Sequence, residues 1–252
     1  YNLPQVPHPF DSRVAQFTKS ILSQVDYLGV RDYISRDHIL SLYGETELKP
    51  NIEVYPDSVC CLPELVDLEM LNQLRSKILN FDSPYVVLHF NAQKPEKDDV
   101  YIVNTIHMLM DRGFKVVLLP LGYTHNDDTV FEAFNEKVGG VCYTFQRKLS
   151  IYEMMAILAG CEIYIGTSFH GAITALTYGR KAISYNYILP YKNRELFKMF
   201  GIESYVLPNA EKMEQVVALL LSMPDQKTEL KKVIEQVNVH FDKIFQKIVN
   251  AS

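Results

Sequence analysis

A chain of 252 residues, 48% of them apolar, is long enough to bury one large core or two small ones. Thirty acidic against 25 basic residues give a formal net charge of −5; with no global basic field, broad binding to nucleic acid or to an anionic membrane surface is excluded, although a small anion can still meet a local basic cluster. The four cysteines, Cys60, Cys61, Cys142 and Cys161, lack metal-ligand spacing, and no apolar run reaches the ~18 residues that would span a bilayer, so a reduced, cytoplasmic protein without a signal peptide is expected.

The elements alternate from the start. Val14, Phe17, Ile21, Leu22 and Val25 recur at helical spacing over residues 11–25, with Asp11 or Ser12 placed to cap the helix. A strand from Tyr27 to Arg31 follows, then a short helix in SRDHILSLYG ending at Gly44, then a strand in IEVYP that runs into Asp57. These are two α/β units with no first strand of their own, in a chain that opens on Tyr1 without a methionine. The expectation is the trailing part of an α/β domain whose beginning lies outside the chain. A linker helix near Leu65 to Leu79 completes this segment, residues 1–80, and leaves 81–252 as a C-terminal domain.

That second part alternates more fully. PYVVLHF at 84–90, FKVVLLPL, VCYTF, CEIYIGTS and KAISYN read as strands. DDVYIVNTIHMLMDRG, TVFEAFNEKVGG, SIYEMMAILAG, GAITALTYG, KNRELFKMFG and MEQVVALLLSM read as helices, and a long charged helix runs from about Gln226 to Val249. In SIYEMMAILAG, Ser150 and Glu153 stand at capping-box spacing, with Ile151, Met154, Met155 and Leu158 on one face. Uninterrupted apolar strands mean a sheet covered on both faces, hence parallel and doubly wound.

In such a sheet ligands sit beyond the carboxyl ends of the strands. The turn from Thr167 to Gly171 is placed there: Thr167 and Ser168 can cap the next helix, Gly171 lets the backbone approach a ligand, and the first helical amides favour an anion. His170 stands at that turn. Its alternative there is packing, with a ring nitrogen bonded to a carbonyl. His89 and Asn91 follow a core strand into a loop, where Asn91 can meet a ligand through backbone or amide. His125, Asp127 and Asp128 form a polar turn after Pro120, open to an acceptor or to solvent.

GCEIYIGTSFHGAITALTYGRKAISY resembles the signature segment of the polysaccharide pyruvyl transferase family, in which a strand ends in a Thr/Ser-x-x-His-Gly turn before an alanine-rich helix. VDYLGVRDYISRDHIL at 25–40, VYPDS at 54–58 and YKNRELFKMFGI at 191–202 are similar to three further family segments, in order and spacing. The resemblance runs from about Val25 to Ile202. It implies a GT-B-like architecture of two Rossmann-like halves with the site in the cleft between them, phosphoenolpyruvate as donor and a sugar of a cell-surface polysaccharide as acceptor, in exopolysaccharide biosynthesis. It also implies Arg31, His170 and Lys192 around the donor. The sequence departs from the pattern at Ser168, where better-characterised members have an arginine; Ser168 keeps a hydrogen-bond donor and loses the fixed charge and bidentate grip.

Ketal formation from an enol phosphate needs a proton for the methylene carbon, for which histidine is suited, and cations and amides for the departing phosphate. His170 as acid, with Arg31, Lys192 and the helix amides as anion clamp, meets both needs, while Thr167, Ser168, Gly171, Asp57, His89 and Asn91 are the expected substrate contacts. The scheme requires no metal and no cofactor. Two alternatives stand beside it: a GT-B-type glycosyltransferase using a nucleotide sugar, and a non-catalytic carbohydrate- or anion-binding domain. A Gly-rich diphosphate turn would favour the first, and the chain has 11 glycines and no such turn.

Overall fold

Strands and helices alternate along the chain in a computed structural model that describes residues 2–3, 9–44, 51–187, 190–226 and 228–251, the side chains of 2, 3, 190–192 and 251 excepted. The first elements are β1 (Asn2–Leu3), α1 (Ser12–Leu22), β2 (Leu28–Val30), α2 (Tyr33–Leu40) and β3 (Ile52–Val54). Next come α3 (Leu62–Leu65), α4 (Leu68–Ile78), β4 (Tyr85–His89), α5 (Asp99–Asp111), β5 (Lys115–Leu118), α6 (Asp127–Lys137) and α7 (Ile151–Gly160). The last are β6 (Ile163–Gly166), α8 (Phe169–Thr177), β7 (Lys181–Tyr185), α9 (Pro190–Met199), β8 (Val206–Leu207), α10 (Met213–Ser222) and α11 (Leu230–Ala251).

Two compact units result: Tyr1–Cys61 with Lys231–Ser252, and Leu62–Leu230. This differs from the division at residue 80 expected from the sequence, for a packing reason at each end. Helix α4 shares an apolar cluster with α7, in which Leu71 meets Met155, Ala156, Ala159 and Tyr178, so the expected linker is part of the second unit. Helix α11 belongs to the first: buried His240 is hydrogen-bonded to the Tyr27 hydroxyl at 2.7 Å and packs on the Tyr55 ring at 4.6 Å, and Lys243 Nζ lies 2.5 Å from Glu53 Oε2.

The first unit is a three-stranded parallel sheet in the order β1-β2-β3. Its first strand, absent from the sequence expectation, is two residues pairing Asn2 with Gly29 and Leu3 with Val30, too short to leave a periodic trace. Leu22, Leu28, Val30, Ile39 and Tyr43 form its core. Asp11 and Asp32 cap α1 and α2 by accepting from Arg13 N and Ser35 N.

The second unit is a five-stranded sheet in the order β5-β4-β6-β7-β8, every pair parallel. One face packs Val86, Leu88, Ile163, Ile165, Ile183 and Tyr185 against residues of α5, α6 and α10. The other face lies towards α7: the Tyr85 hydroxyl donates to Ile157 O at 2.7 Å. Helices on both faces explain why β4, β6 and β7 are buried along their whole length. The capping box is formed, Ser150 Oγ accepting from Glu153 N and Glu153 from Ser150 N. VCYTF, expected as a strand, supplies only a single parallel bridge of Tyr143 to Val117. Asn135 takes both backbone groups of the neighbouring Cys142 with its own amide, so the ladder cannot extend in that direction.

Candidate functional site

The pairing register sets His89, Gly166 and Ser184 in one row across β4, β6 and β7, at the carboxyl edge of the sheet. Beyond that row lies the turn to α8. Ser168 is the N-cap of α8, its Oγ accepting from Gly171 N at 3.1 Å, so the helix starts at Phe169, before the glycine. His170 is exposed in the first helical turn, with the buried Phe169 ring edge-on at 5.4 Å.

Tyr164 shapes this turn. Its fully buried ring carries a hydroxyl that accepts from Ser168 N at 3.2 Å and donates to Ser168 O at 3.3 Å. A Cβ on Gly166 would stand 2.4 Å from that hydroxyl and 2.8 Å from the Cβ of His89; one on Gly171 would stand 2.7 Å from the hydroxyl and from Leu121 Cδ1. Both glycines therefore make room for the phenol, and the space over Gly171, expected to admit a ligand, holds Tyr164 and Leu121.

His89 joins three elements. Its Nε2 lies 3.1 Å from Asp127 Oδ2 at the start of α6, and its Nδ1 lies 3.1 Å from Thr167 Oγ1. Asp127 Oδ2 also accepts from Gly122 N at 2.7 Å and Leu121 N at 3.3 Å. Burial works against ionisation of Asp127, but the His89 hydrogen bond and the two amides outweigh it and hold the carboxyl below its ordinary range. Thr167 is held further by Asn193 of α9, whose Nδ2 donates to Thr167 O at 3.4 Å and to Ser184 Oγ at 2.9 Å.

Asn91 and Tyr187 form a second polar group at the same edge. The Tyr187 hydroxyl donates to Asn91 Oδ1 at 2.8 Å and accepts from Asn91 N at 3.1 Å; burial pushes this phenol up to about 12. Asn91 Oδ1 accepts from Gln93 N as well, so the side chain shapes its own loop. Nearby in the sheet order, the Tyr185 hydroxyl donates to buried Asp98 at 2.6 Å.

His89, Asn91, Thr167, Ser168, His170 and Gly171 thus share one sheet edge in the second unit. Arg31 and Asp57 are together in the first unit, as a pair with Nη1 2.8 Å from Oδ2 and both side chains about 10% exposed. Asp57 Oδ1 also accepts from Val59 N at 3.1 Å. Lys192 lies in α9, and its side chain is outside the described residues. Tyr164, Asn193 and Tyr187 carry no mark in the sequence, where Asp127 stands in a polar turn open to an acceptor or to solvent; an aspartate opening a helix just past a buried strand is the signal for it. Among the described residues, no group of three or more His, Cys, Asp or Glu is arranged to hold a metal ion, and no helix is long and apolar enough to cross a membrane.

Residues 6–188 match the polysaccharide pyruvyl transferase family. No curated protein sequence matches the chain. Among solved structures, the chain is similar to a UDP-GlcNAc 2-epimerase from Methanocaldococcus jannaschii, at 15% identity and a TM-score of 0.61, over 95% of this chain and 70% of that one. It is also similar to a glycosyltransferase from Rickettsia africae ESF-5, at 14% identity and a TM-score of 0.60, over 97% and 69%. A third likeness is to an α,α-trehalose-phosphate synthase (UDP-forming) from Burkholderia xenovorans, at 11% identity and a TM-score of 0.55, over 98% and 66%. At such identities the likeness concerns the fold, which is GT-B-like and Rossmann-type, and the chain spans between 66% and 70% of the length of these structures.

Proposed function

The chain belongs to the polysaccharide pyruvyl transferase family, and on that premise we propose that it transfers a pyruvyl group from phosphoenolpyruvate to a sugar of a cell-surface polysaccharide. The observation that carries the reading is the turn Thr167–His170, which sets an exposed histidine in the first turn of α8 at the carboxyl edge of a parallel sheet. The positive end of the helix favours an anion there.

In this reading His170 gives its proton to the methylene carbon of the donor. The carbon bearing the ester oxygen becomes oxocarbenium-like and is attacked by a sugar hydroxyl, and its bond to the phosphate oxygen breaks. A second hydroxyl of the sugar completes the ketal, its proton passing to His170 and restoring the acid. The first turn of α8 receives the anion, with Ser168 contributing a hydroxyl where an arginine would add charge, and the family resemblance adds Lys192 to the donor's contacts. The reaction belongs to exopolysaccharide biosynthesis in the cytoplasm and uses no metal or cofactor.

Titration calorimetry with phosphoenolpyruvate, UDP-glucose and UDP-N-acetylglucosamine tests the reading. Binding of phosphoenolpyruvate, weakened in Lys192→Ala, is the expected result. Binding of a UDP-sugar alone would turn the assignment to a glycosyltransferase, and binding of none of the three would leave a non-catalytic domain.

A further inference from the structure

The reaction proposed above supplies a proton donor and leaves a second need unmet, because the attacking sugar hydroxyl must lose its own proton. We propose that Thr167 Oγ1 accepts that proton and passes its own to His89 Nδ1, with Asp127 holding the imidazole. The inference rests on the pyruvyl transfer reading and assigns the base for the same site.

The hydrogen-bond chain fixes the direction. Asp127 Oδ2 accepts from two backbone amides, at 2.7 and 3.3 Å, and stands 3.1 Å from His89 Nε2. A carboxylate in that place requires the ring proton on Nε2, since an acceptor facing a bare nitrogen has no hydrogen between them. In the neutral ring Nδ1 then presents a lone pair, and Thr167 Oγ1, 3.1 Å away, donates its hydrogen to it. The threonine oxygen is left with its acceptor lone pairs for another partner. His89 is 5% exposed and Asp127 is 2% exposed, whereas Thr167 is half-buried, so the hydroxyl is the end of the chain that a substrate reaches.

The step balances. As the sugar oxygen forms its bond to the donor carbon, its hydrogen moves to Thr167 Oγ1 and the threonine's hydrogen moves to His89 Nδ1. The resulting imidazolium keeps its Nε2 hydrogen on the Asp127 carboxylate, the arrangement by which an aspartate orients a histidine base and stabilises its charged form. The phosphate leaves with the electron pair of the bond it breaks, and His89 returns the proton to solvent through Thr167 once product departs. Thr167 is thereby a catalytic residue, and His89 and Asp127 act through it. Its position is over-determined, since Asn193 Nδ2 holds Thr167 O and Thr167 N donates to His89 O at 3.3 Å.

The test measures phosphoenolpyruvate binding by calorimetry and phosphate release with a panel of p-nitrophenyl glycosides offering vicinal and 1,3-related hydroxyl pairs, for the native chain and for Thr167→Val, Thr167→Ser and His89→Gln. Thr167→Val is expected to lower kcat by about 10²- to 10⁴-fold, the range of general base catalysis, with donor affinity within threefold of native. Thr167→Ser keeps the hydroxyl and should recover kcat to within about tenfold. Nitrogen-15 NMR at neutral pH should show the His89 ring protonated on Nε2 and bare on Nδ1, and lose that signature in Asp127→Asn. Donor binding and turnover in the native chain with kcat of Thr167→Val within threefold overturns the inference and leaves the pyruvyl transfer reading in place. So does a His89 ring protonated on Nδ1. Absence of donor binding, or of turnover with every glycoside, in the native chain overturns both.

Discussion

Gly166→Ala tests whether the site turn depends on the fit between a glycine and the Tyr164 phenol. The backbone of Gly166 is not left-handed, so alanine meets no conformational penalty and gains about 0.4–1 kcal/mol by restricting the unfolded chain. Against that, the new methyl stands 2.4 Å from the Tyr164 hydroxyl, 2.7 Å from its Cζ and 2.8 Å from the His89 Cβ. Tyr164 is wholly buried and tied to Ser168 by two hydrogen bonds, so the ring has little room to give. Overpacking of this kind costs about 1–3 kcal/mol, and contact with two side chains, one of them held at both sides of its hydroxyl, puts it near the top; the net loss is about 2 kcal/mol. For a unit spanning Leu62–Leu230 that corresponds to a fall in Tm of about 4–8 °C. Tyr164→Phe removes the closest contact and, by stripping a partner from Ser168, costs about 1 kcal/mol on its own. In the double variant the two losses should sum to about 1 kcal/mol less than additive. Urea unfolding followed by circular dichroism, with the same m-value across the four proteins, reads the cycle. Additivity within about 0.5 kcal/mol, or a Gly166→Ala variant as stable as native, would show that the phenol does not fill that space.

Ser168→Ala should destabilise the second unit by about 1 kcal/mol through loss of the α8 cap, and Ser168→Asp should restore most of it, both measured by urea unfolding. Arg147, through its side-chain hydrogen bond, and the Ser150 amide hold the Glu153 carboxyl down at about 2, below its ordinary 4.5. The contribution is present in full above about pH 4.5 and lost as pH falls towards 2; Glu153→Gln should remove this part of the acid dependence. Burial holds His240 below its ordinary value of 6.5 despite the opposing influence of Glu53, so the neutral ring's contribution to the first unit is present above about pH 6.5 and declines below it. Stability against urea between pH 5 and 8 should show that decline, and His240→Phe should flatten it. Burial raises the thiols of Cys60, Cys142 and Cys161, Cys142 and Cys161 to about 12, so all three should resist a disulfide reagent until the chain is unfolded in urea.

Local patterns carry far in this chain because the strands of the second unit are continuous apolar runs, and helix ends are written in single residues such as Asp11, Asp32, Ser150 and Ser168. The parallel, doubly wound sheet and the turn holding Thr167, Ser168 and His170 follow from those patterns, since a strand, a cap and a helix adjacent in sequence need no distant partner to be placed. Two-residue strands such as β1 and β8 escape, as does the reduction of VCYTF to one bridge, because pairing there is decided by what lies opposite and not by the segment's own period.

What only the tertiary structure decides is which distant side chains meet. Residues 89, 127 and 167 lie in three separate elements, and nothing in their spacing says that one imidazole bridges the other two; the register of β4 against β5 and β6 does that. Within one strand-to-helix segment, the Tyr164 ring lies over Gly166 and Gly171, filling the space at Gly171 where the sequence alone suggested a ligand. The contacts that hold helix α11 in the first unit, with Tyr27, Glu53 and Tyr55, join residues more than 180 positions apart. Sequence thus determines local conformation and the class of the sheet, which depend on neighbours a few residues apart. Burial and hydrogen-bond partnership across the chain, and with them the polar relay at the site, come from long-range packing that no short window contains.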